Sequence, residues 1–325
     1  MAPGNPPARA AVGTIAIILN TTIEVRMSNF NNSNDPTLPS ELGRVVSRRL
    51  KLTVTIVVAV LLVAIVWVVT TSPNSGPATS TSFPTAAQYS AGVVNASETS
   101  GLGPLSATSI PGYVQSYVTE FAGSSLPPGW HTFSGKPGGD PTGQFSPAHV
   151  IVSNSLLQLN AWKDPQFHNM WVTGGLCLCG KPQTYGAFFI RSRQTGSGPN
   201  EVELLWPEDN SWPPEIDFNE TGGRSFETSA TVHWAIANHQ IQYLIAADLT
   251  TWHTWGVVWT PQEIDYTLDG HVWATDTASA TIPGLPMSID IEQRTVCDPT
   301  TQCPVRPTSL LVDWVEAFSP STSAG

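Results

Sequence analysis

The chain has 325 residues, of which 41% are hydrophobic and only 12% charged, with 12 Trp, 28 Pro and 26 Gly. That length admits one large domain with extensions. Its charge is uneven: residues 72–325 hold 22 Asp and Glu against 8 Lys and Arg, an excess of negative charge that excludes nucleic acid and other polyanions as partners.

Residues 1–51 are poor in aromatics and scattered with Pro, Asn and Arg, the composition of a disordered tail. Within them Ala10–Leu19 is apolar but too short to span a bilayer, and Met27 is an alternative start. Leu52–Thr70 is different: 19 residues without a charge, mostly Val, Ile, Leu and Ala. As a helix this run would extend about 28 Å, close to the hydrocarbon thickness. Arg44, Arg48, Arg49 and Lys51 precede it, and no Lys or Arg follows until Lys136. The positive-inside rule keeps such an N-terminus cytoplasmic and sends the rest outside. The expectation is therefore a single-pass transmembrane anchor over residues 52–71 in the cell membrane; a cleaved signal peptide, giving a secreted protein, is the competitor. Residues 72–112 are rich in Ser, Thr, Ala, Pro and Gly with one charge, Glu98, and read as a flexible linker.

Residues 113–325 carry the domain. Turn signals recur every 8–15 residues, among them Pro127-Pro128-Gly129, Gly174-Gly175, Gly222-Gly223 and Leu268-Asp269-Gly270-His271. Short alternating or apolar runs lie between them: His149–Val152, Leu156–Leu159, Tyr185–Arg191, Thr254–Trp259 and Ser309–Phe318. Strong amphipathic helix patterns are lacking. The predicted fold class is all-β, a sandwich of two antiparallel sheets.

The stretch with most chemistry is Trp212-Pro213-Pro214-Glu215-Ile216-Asp217-Phe218-Asn219-Glu220, three carboxylates within six residues. On a regular strand Glu215, Asp217 and Asn219 share one face and Glu220 points to the other. A β-bulge after Asp217 shifts the phase by one residue and brings Glu220 round to join the first two. Three acids on one face repel, so one should have a raised pKa and stay protonated near neutrality. An ionised carboxylate beside a protonated one is what glycosidic bond cleavage with retention requires, the two carboxyls lying about 5–5.5 Å apart.

Glu215-Ile216-Asp217-Phe218-Asn219-Glu220 resembles the active-site signature of glycoside hydrolase family 16 in its bulged E-x-D-x-x-E form. Trp212-Pro213 before it, Tyr185-Gly186-Ala187-Phe188-Phe189-Ile190-Arg191 upstream, and Thr231-Val232-His233 and His253–Pro261 downstream are similar to the family's other strands. Tyr266-Thr267-Leu268-Asp269-Gly270 and Val312-Asp313-Trp314-Val315 follow in family order, and the resemblance covers residues 117–319. Phe189 departs from it, standing where the family has an acid. The resemblance implies a concanavalin-like β-jelly-roll and an endo-β-1,3- or mixed-linkage glucanase acting on a neutral β-glycan as a monomer. It implies Glu215 as nucleophile, Glu220 as general acid and base, and Asp217 as the group between them. Two rival functions share the fold: a transglycosylase acting on wall glycan, with the same residues and a sugar in place of water, and a non-catalytic glycan-binding module.

Sugars present apolar C–H faces, so aromatic side chains near the acids are candidates for binding. Trp206 and Trp212 flank the motif in a Pro-rich loop and are expected to line the sugar subsites, with Trp130 and Trp171 as rim residues. Trp255, Trp259 and Trp314 sit in strand patterns and read as core. His233 follows on the next strand as a cleft residue, and Gln293 in the strand beginning at Met287 is a candidate hydroxyl contact. Cys297 and Cys303 flank a five-residue loop and suit an extracellular disulfide. Cys177 and Cys179 are left open between pairing with each other and remaining separate. The Cys spacings fit zinc poorly. No metal or cofactor is expected at the site, with a structural calcium on the outer face allowed by the resemblance.

Overall fold

The structure, a computed structural model, describes residues 83, 86–140, 142–295, 304 and 306–321. The N-terminal tail, the expected membrane anchor over 52–71 and the expected Cys297–Cys303 disulfide lie outside the described residues. Among the described residues no helix is long and apolar enough to cross a membrane.

The regular secondary structure of the described residues is almost wholly strand. In order come β1 Val93–Val94, β2 Leu102–Gly103, β3 Tyr113–Thr119, β4 His131–Thr132, β5 Val150–Ser153, β6 Leu156–Asp164, β7 Met170–Val172, β8 Gly175–Cys177 and β9 Gly186–Gln194. There follow β10 Asn200–Pro207, β11 Glu215–Glu220, β12 Glu227–Trp234, β13 His239–Ala246, β14 His253–Trp259, β15 Ile264–Leu268, β16 His271–Asp276, β17 Met287–Arg294 and β18 Thr308–Pro320. Two 3₁₀ turns, Pro147–His149 and Pro165–Phe167, are the described helical pieces.

Besides the small antiparallel β1-β2 pair, two large antiparallel sheets result. One runs β13-β12-β11-β10-β17-β8-β4; the other runs β16-β15-β14-β9-β18-β6-β5, with β3 also on β18 and β7 on β6. Strand β18 is long enough to serve two partners along one edge, β6 through Thr308–Val312 and β3 through Val315–Pro320. Alternation along each strand makes the interior: Ile216, Phe218, Val232, Trp255, Val257, Trp259, Ile289 and Ile291 fill the space between the sheets. The predicted all-β sandwich and the predicted strand runs are present, most of them a few residues longer than the apolar core that marked them. The turn at Asp269-Gly270 uses positive φ at both residues, 50° and 82°, the geometry a two-residue hairpin needs.

The linker expectation fails over residues 86–112. Gln88 and Tyr89 donate backbone N–H groups to the Gly270 carbonyl, and the Thr254 hydroxyl donates to the Ala91 carbonyl. Leu105 and Ile110 are buried in a second apolar cluster with Ala187, Phe189, Val258, Trp314 and Phe318. The segment therefore straps the outer face of the β9–β18 sheet. Its composition is linker-like, yet a few apolar anchors suffice where a prepared apolar face waits to be covered. Phe189, the departure from the family's acid, belongs to that face. The Trp expectations divide: Trp255, Trp259 and Trp314 are 2%, 0% and 0% exposed, as core. Trp130 is also core, donating to the Tyr117 hydroxyl at 2.8 Å, so it is no rim residue.

Candidate active site

Strand β11 carries the acids, and its register decides where they point. Leu204 pairs with Asp217 and Glu203 with Asn219, which leaves Phe218 without a partner on β10. On the other side the register with β12 shifts between Asp217 and Glu220. This is the expected bulge. Phe218 and Asn219 both turn inward, Phe218 into the core and Asn219 to accept the Thr228 hydroxyl at 2.7 Å. Glu220 is thereby returned to the face of Glu215 and Asp217, and all three line one cavity of about 970 Å³.

Cross-strand rungs order the cavity floor. One rung runs Gln242–Thr231–Asp217–Leu204–Asp290, and the next runs Glu220–Val202–Glu292. Glu215 pairs with His233 on β12. Val202 and Leu204 are buried between the acids of β11 and those of β17. The Trp212 indole donates to Glu215 Oε2 at 2.7 Å, and Asn200 Nδ2 donates to Glu220 Oε1 at 2.9 Å. His233 Nε2 lies 3.4 Å from Asp217 Oδ2, and its Nδ1 lies 2.8 Å from Asn238 Oδ1.

These contacts set the proton inventory. Burial raises the Glu215 carboxyl, the Trp212 hydrogen bond and His233 hold it down, and the Glu220 charge raises it. Asp217 is pushed well above the carboxylate range, first by burial and then by the Glu215 charge, with the His233 hydrogen bond opposing. Burial alone would lower His233, but its hydrogen bond to Asp217 and that group's charge outweigh it and lift the imidazole to about 9. The Glu215–Asp217–His233 trio thus holds more protons at neutrality than three isolated groups would. Ligand atoms of these three lie within 4.8 Å of one another, so a cation would find donors there. The chemistry available is paired-carboxylate acid–base work with a bound proton beside it.

Of the residues singled out from sequence, Glu215, Asp217, Glu220, Trp206, Trp212 and His233 all line the cavity. Trp206 donates to Asn210 Oδ1 at 3.3 Å. Trp212, 46% exposed, stands with its ring 6.0 Å from that of His233. Trp171 is not among the lining residues and lies under Lys163 instead. Gln293 is a correction: it is fully buried and donates to Glu201 Oε1 at 3.0 Å inside the sandwich. Parity explains it. On β17 the residues Ser288, Asp290, Glu292 and Arg294 face the cavity, and the odd-numbered ones face the core. That alternation was the signal that sequence reasoning overlooked. Cys177 and Cys179 pair with each other, and Cys179 reaches the cavity rim.

A two-sheet antiparallel jelly-roll with paired acids on a bulged strand of the groove is the architecture of carbohydrate-active proteins. The model for glycosyl hydrolases family 16 matches residues 142–309, and the chain belongs to that family. Two curated relatives come from Rhizobium meliloti strain 1021. The endo-1,3-1,4-beta-glycanase EglC is 32% identical over 143 residues, and the endo-1,3-1,4-beta-glycanase ExsH is 29% identical over 143. Each match covers 42% of this chain and 31% of the relative, so the chain spans about a third of their length. Among solved structures, the laminarinase catalytic domain of Thermotoga petrophila superposes with a TM-score of 0.56 at 17% identity, covering 65% of this chain and 99% of that one. The laminarinase of Rhodothermus marinus gives 0.57 at 20% identity, covering 63% and 97%. These likenesses share the fold.

Proposed function

We propose that the protein is an endo-acting glycoside hydrolase that cleaves a β-linked polysaccharide with retention of configuration, with β-1,3- or mixed-linkage glucan the backbone to test first. The supporting observation is the bulge at Phe218, which puts Glu215, Asp217 and Glu220 on one wall of the cavity. Glu215 attacks the anomeric carbon as the leaving oxygen takes a proton from Glu220, forming a glycosyl ester. Glu220, now ionised, removes a proton from water, which displaces Glu215. Asp217 and His233 hold a proton beside Glu215 and fix its charge. Trp206 and Trp212 offer ring faces to the sugars. The uncharged run at 52–70 with its basic flank supports anchoring outside the membrane.

The test is product analysis on laminarin and mixed-linkage glucan with wild type and Glu215→Ala side by side. Hydrolysis gives shortened chains with wild type alone, and NMR of the first product shows the β-anomer. Lengthened chains would mean a transglycosylase; unchanged polymer would leave a binding module.

A further inference from the structure

The reaction proposed above needs three carboxyl groups, yet the cavity has six. Glu208, Asp290 and Glu292 line it besides the three on β11, against Arg294 and His233 as cations. Two of the surplus acids stand on β17, across β10 from the acids of β11. Asp290 shares a rung with Asp217, and Glu292 shares one with Glu220. Two strand spacings put those rungs' ends about 10 Å apart, one or two sugar units along the groove.

Asp290 is 6% exposed, lines the cavity and accepts no hydrogen bond from a described residue. Burial and then the charges of Glu292 and Glu215 push its carboxyl well above the usual range, and Glu292 is pushed up to about 7. A bound cation is what would hold this row ionised. Beside it on the same face, Ser288 is 4% exposed, and its hydroxyl also has no partner. Arg294 does not reach Asp290: its Nε is 3.8 Å from Glu292 Oε2, and its guanidinium donates to the Gly138 carbonyl. The Asp290 oxygens open to the groove, unlike the fully buried Ser288 hydroxyl, so their partners come from what fills the groove: water in the free protein, the ligand in the complex. Sugar hydroxyls can donate to such a row, but only a cation also offsets the repulsion among its carboxyls: an ammonium meets a carboxylate and a hydroxyl with charge-assisted hydrogen bonds.

We propose that Asp290, with Ser288 and Glu292 beside it, forms a subsite for a sugar bearing a free amino group. The glycan taken by this groove is then cationic at that subsite. The inference rests on the reading of the groove as a glycan-cleaving site but concerns selection by β17 alone. It also turns the acidity of the domain from a device for excluding polyanions into one for attracting a polycation.

The experiment is calorimetric titration of the Glu215→Ala protein with glucosamine oligosaccharides, their N-acetylated counterparts and glucan oligosaccharides of equal length, at a pH where the amine is protonated. Expected is at least ten-fold tighter binding of the amino oligosaccharide, weakening steeply with salt. Adding Asp290→Asn should erase that preference, and Glu292→Gln should reduce it; melting curves check that each variant is folded. Equal affinity for the three ligands, or a preference that both substitutions leave intact, overturns the proposal. So does a neutral-sugar preference lost with Asp290→Asn, which would make Asp290 a hydroxyl contact. If wild type cuts glucan but shows no amine preference, this inference fails and the hydrolase stands. If the preference is found but no glycan is cut, the reverse holds.

Discussion

Trp212 gives its indole N–H to Glu215, the carboxylate proposed to attack the sugar. Glu215 must be ionised to do so, and burial works against that, while the Trp212 hydrogen bond works for it. Trp212→Phe keeps a ring over the groove but removes the donor. The carboxyl then rises further, so its ionised fraction falls at acid pH and recovers as pH climbs. The acidic limb of kcat/KM should move to higher pH, with a loss of about ten-fold on that limb, the size of one hydrogen bond to a charged group. A pH–rate profile on the cleaved glucan reads this directly; a uniform loss at all pH values would mean that the ring alone matters. The residue pattern also shows how far single positions were legible. Glu215, Asp217, Glu220, Trp206, Trp212 and His233 could be placed because acids, an indole-rich loop and a strand partner are visible in the string. Gln293 was misplaced on the assumption that a polar residue of a strand crossing the cleft faces the cleft, and Asp290 was missed for want of counting parity along β17.

At the scale of a strand, β10 shows why that assumption fails. It reads Asn200-Glu201-Val202-Glu203-Leu204-Leu205-Trp206, and a polar–apolar alternation of this kind suggests acids facing water. The opposite holds: Val202 and Leu204 underlie the groove, and Glu201 and Glu203 are 1% and 0% exposed, facing the interior. The bulge in β11 is part of the cause, since it turns Asn219 inward opposite Glu203 and makes that end of the interior polar. Gln293 donates to Glu201, while neither oxygen of Glu203 has a hydrogen bond of good geometry, though Ser192 and Asn219 lie near enough to hold its pKa down a little. Burial dominates and lifts Glu203 to about 8. A carboxyl whose folded pKa is raised favours folding fully below its unfolded pKa, and that contribution is lost as pH rises through the folded value. Stability should therefore fall between about pH 5 and pH 8 and level off above, by a few kcal/mol at ~1.4 kcal/mol per pKa unit. Burial raises Glu201 in the same direction. Glu203→Gln should flatten the decline and leave the protein more stable at pH 8 than wild type, measured by urea unfolding at several pH values. A curve that still falls as steeply in the variant would place the titrating group elsewhere.

Across the whole molecule, the boundary drawn at residue 113 from composition was wrong because composition reports what a segment can bury by itself. It does not report what a neighbouring surface needs covered. The strap over residues 86–112 has few apolar residues, but Leu105 and Ile110 are 3% and 4% exposed against Phe189, Trp314 and Phe318. It also supplies donors to buried carboxyls: the Leu105 N–H reaches Glu316 Oε2 at 2.7 Å, alongside Gln115 Nε2 on Oε1, and the Ser100 N–H reaches Asp313 Oδ2 at 3.1 Å. In return the Ser100 hydroxyl accepts from Arg191 Nε at 2.6 Å, and the Leu102 carbonyl accepts from the Trp314 indole at 2.8 Å. Burying two aliphatic side chains contributes roughly 3–6 kcal/mol before entropy. The freed carboxyls add about 1–3 kcal/mol each on removal of their donors. That sum rivals the whole stability of an ordinary domain. A chain beginning at Tyr113 should thus melt at least ten degrees lower than one beginning at Ser75, or aggregate through the bared face of Phe189, Trp314 and Phe318. Strap and groove lie on opposite sheets, so the fraction of the shorter chain that does fold should cut glycan with unchanged KM. Calorimetry of the two chains, with kinetics on the soluble fraction, tests both statements. Equal melting temperatures would return residues 86–112 to the role of a tether.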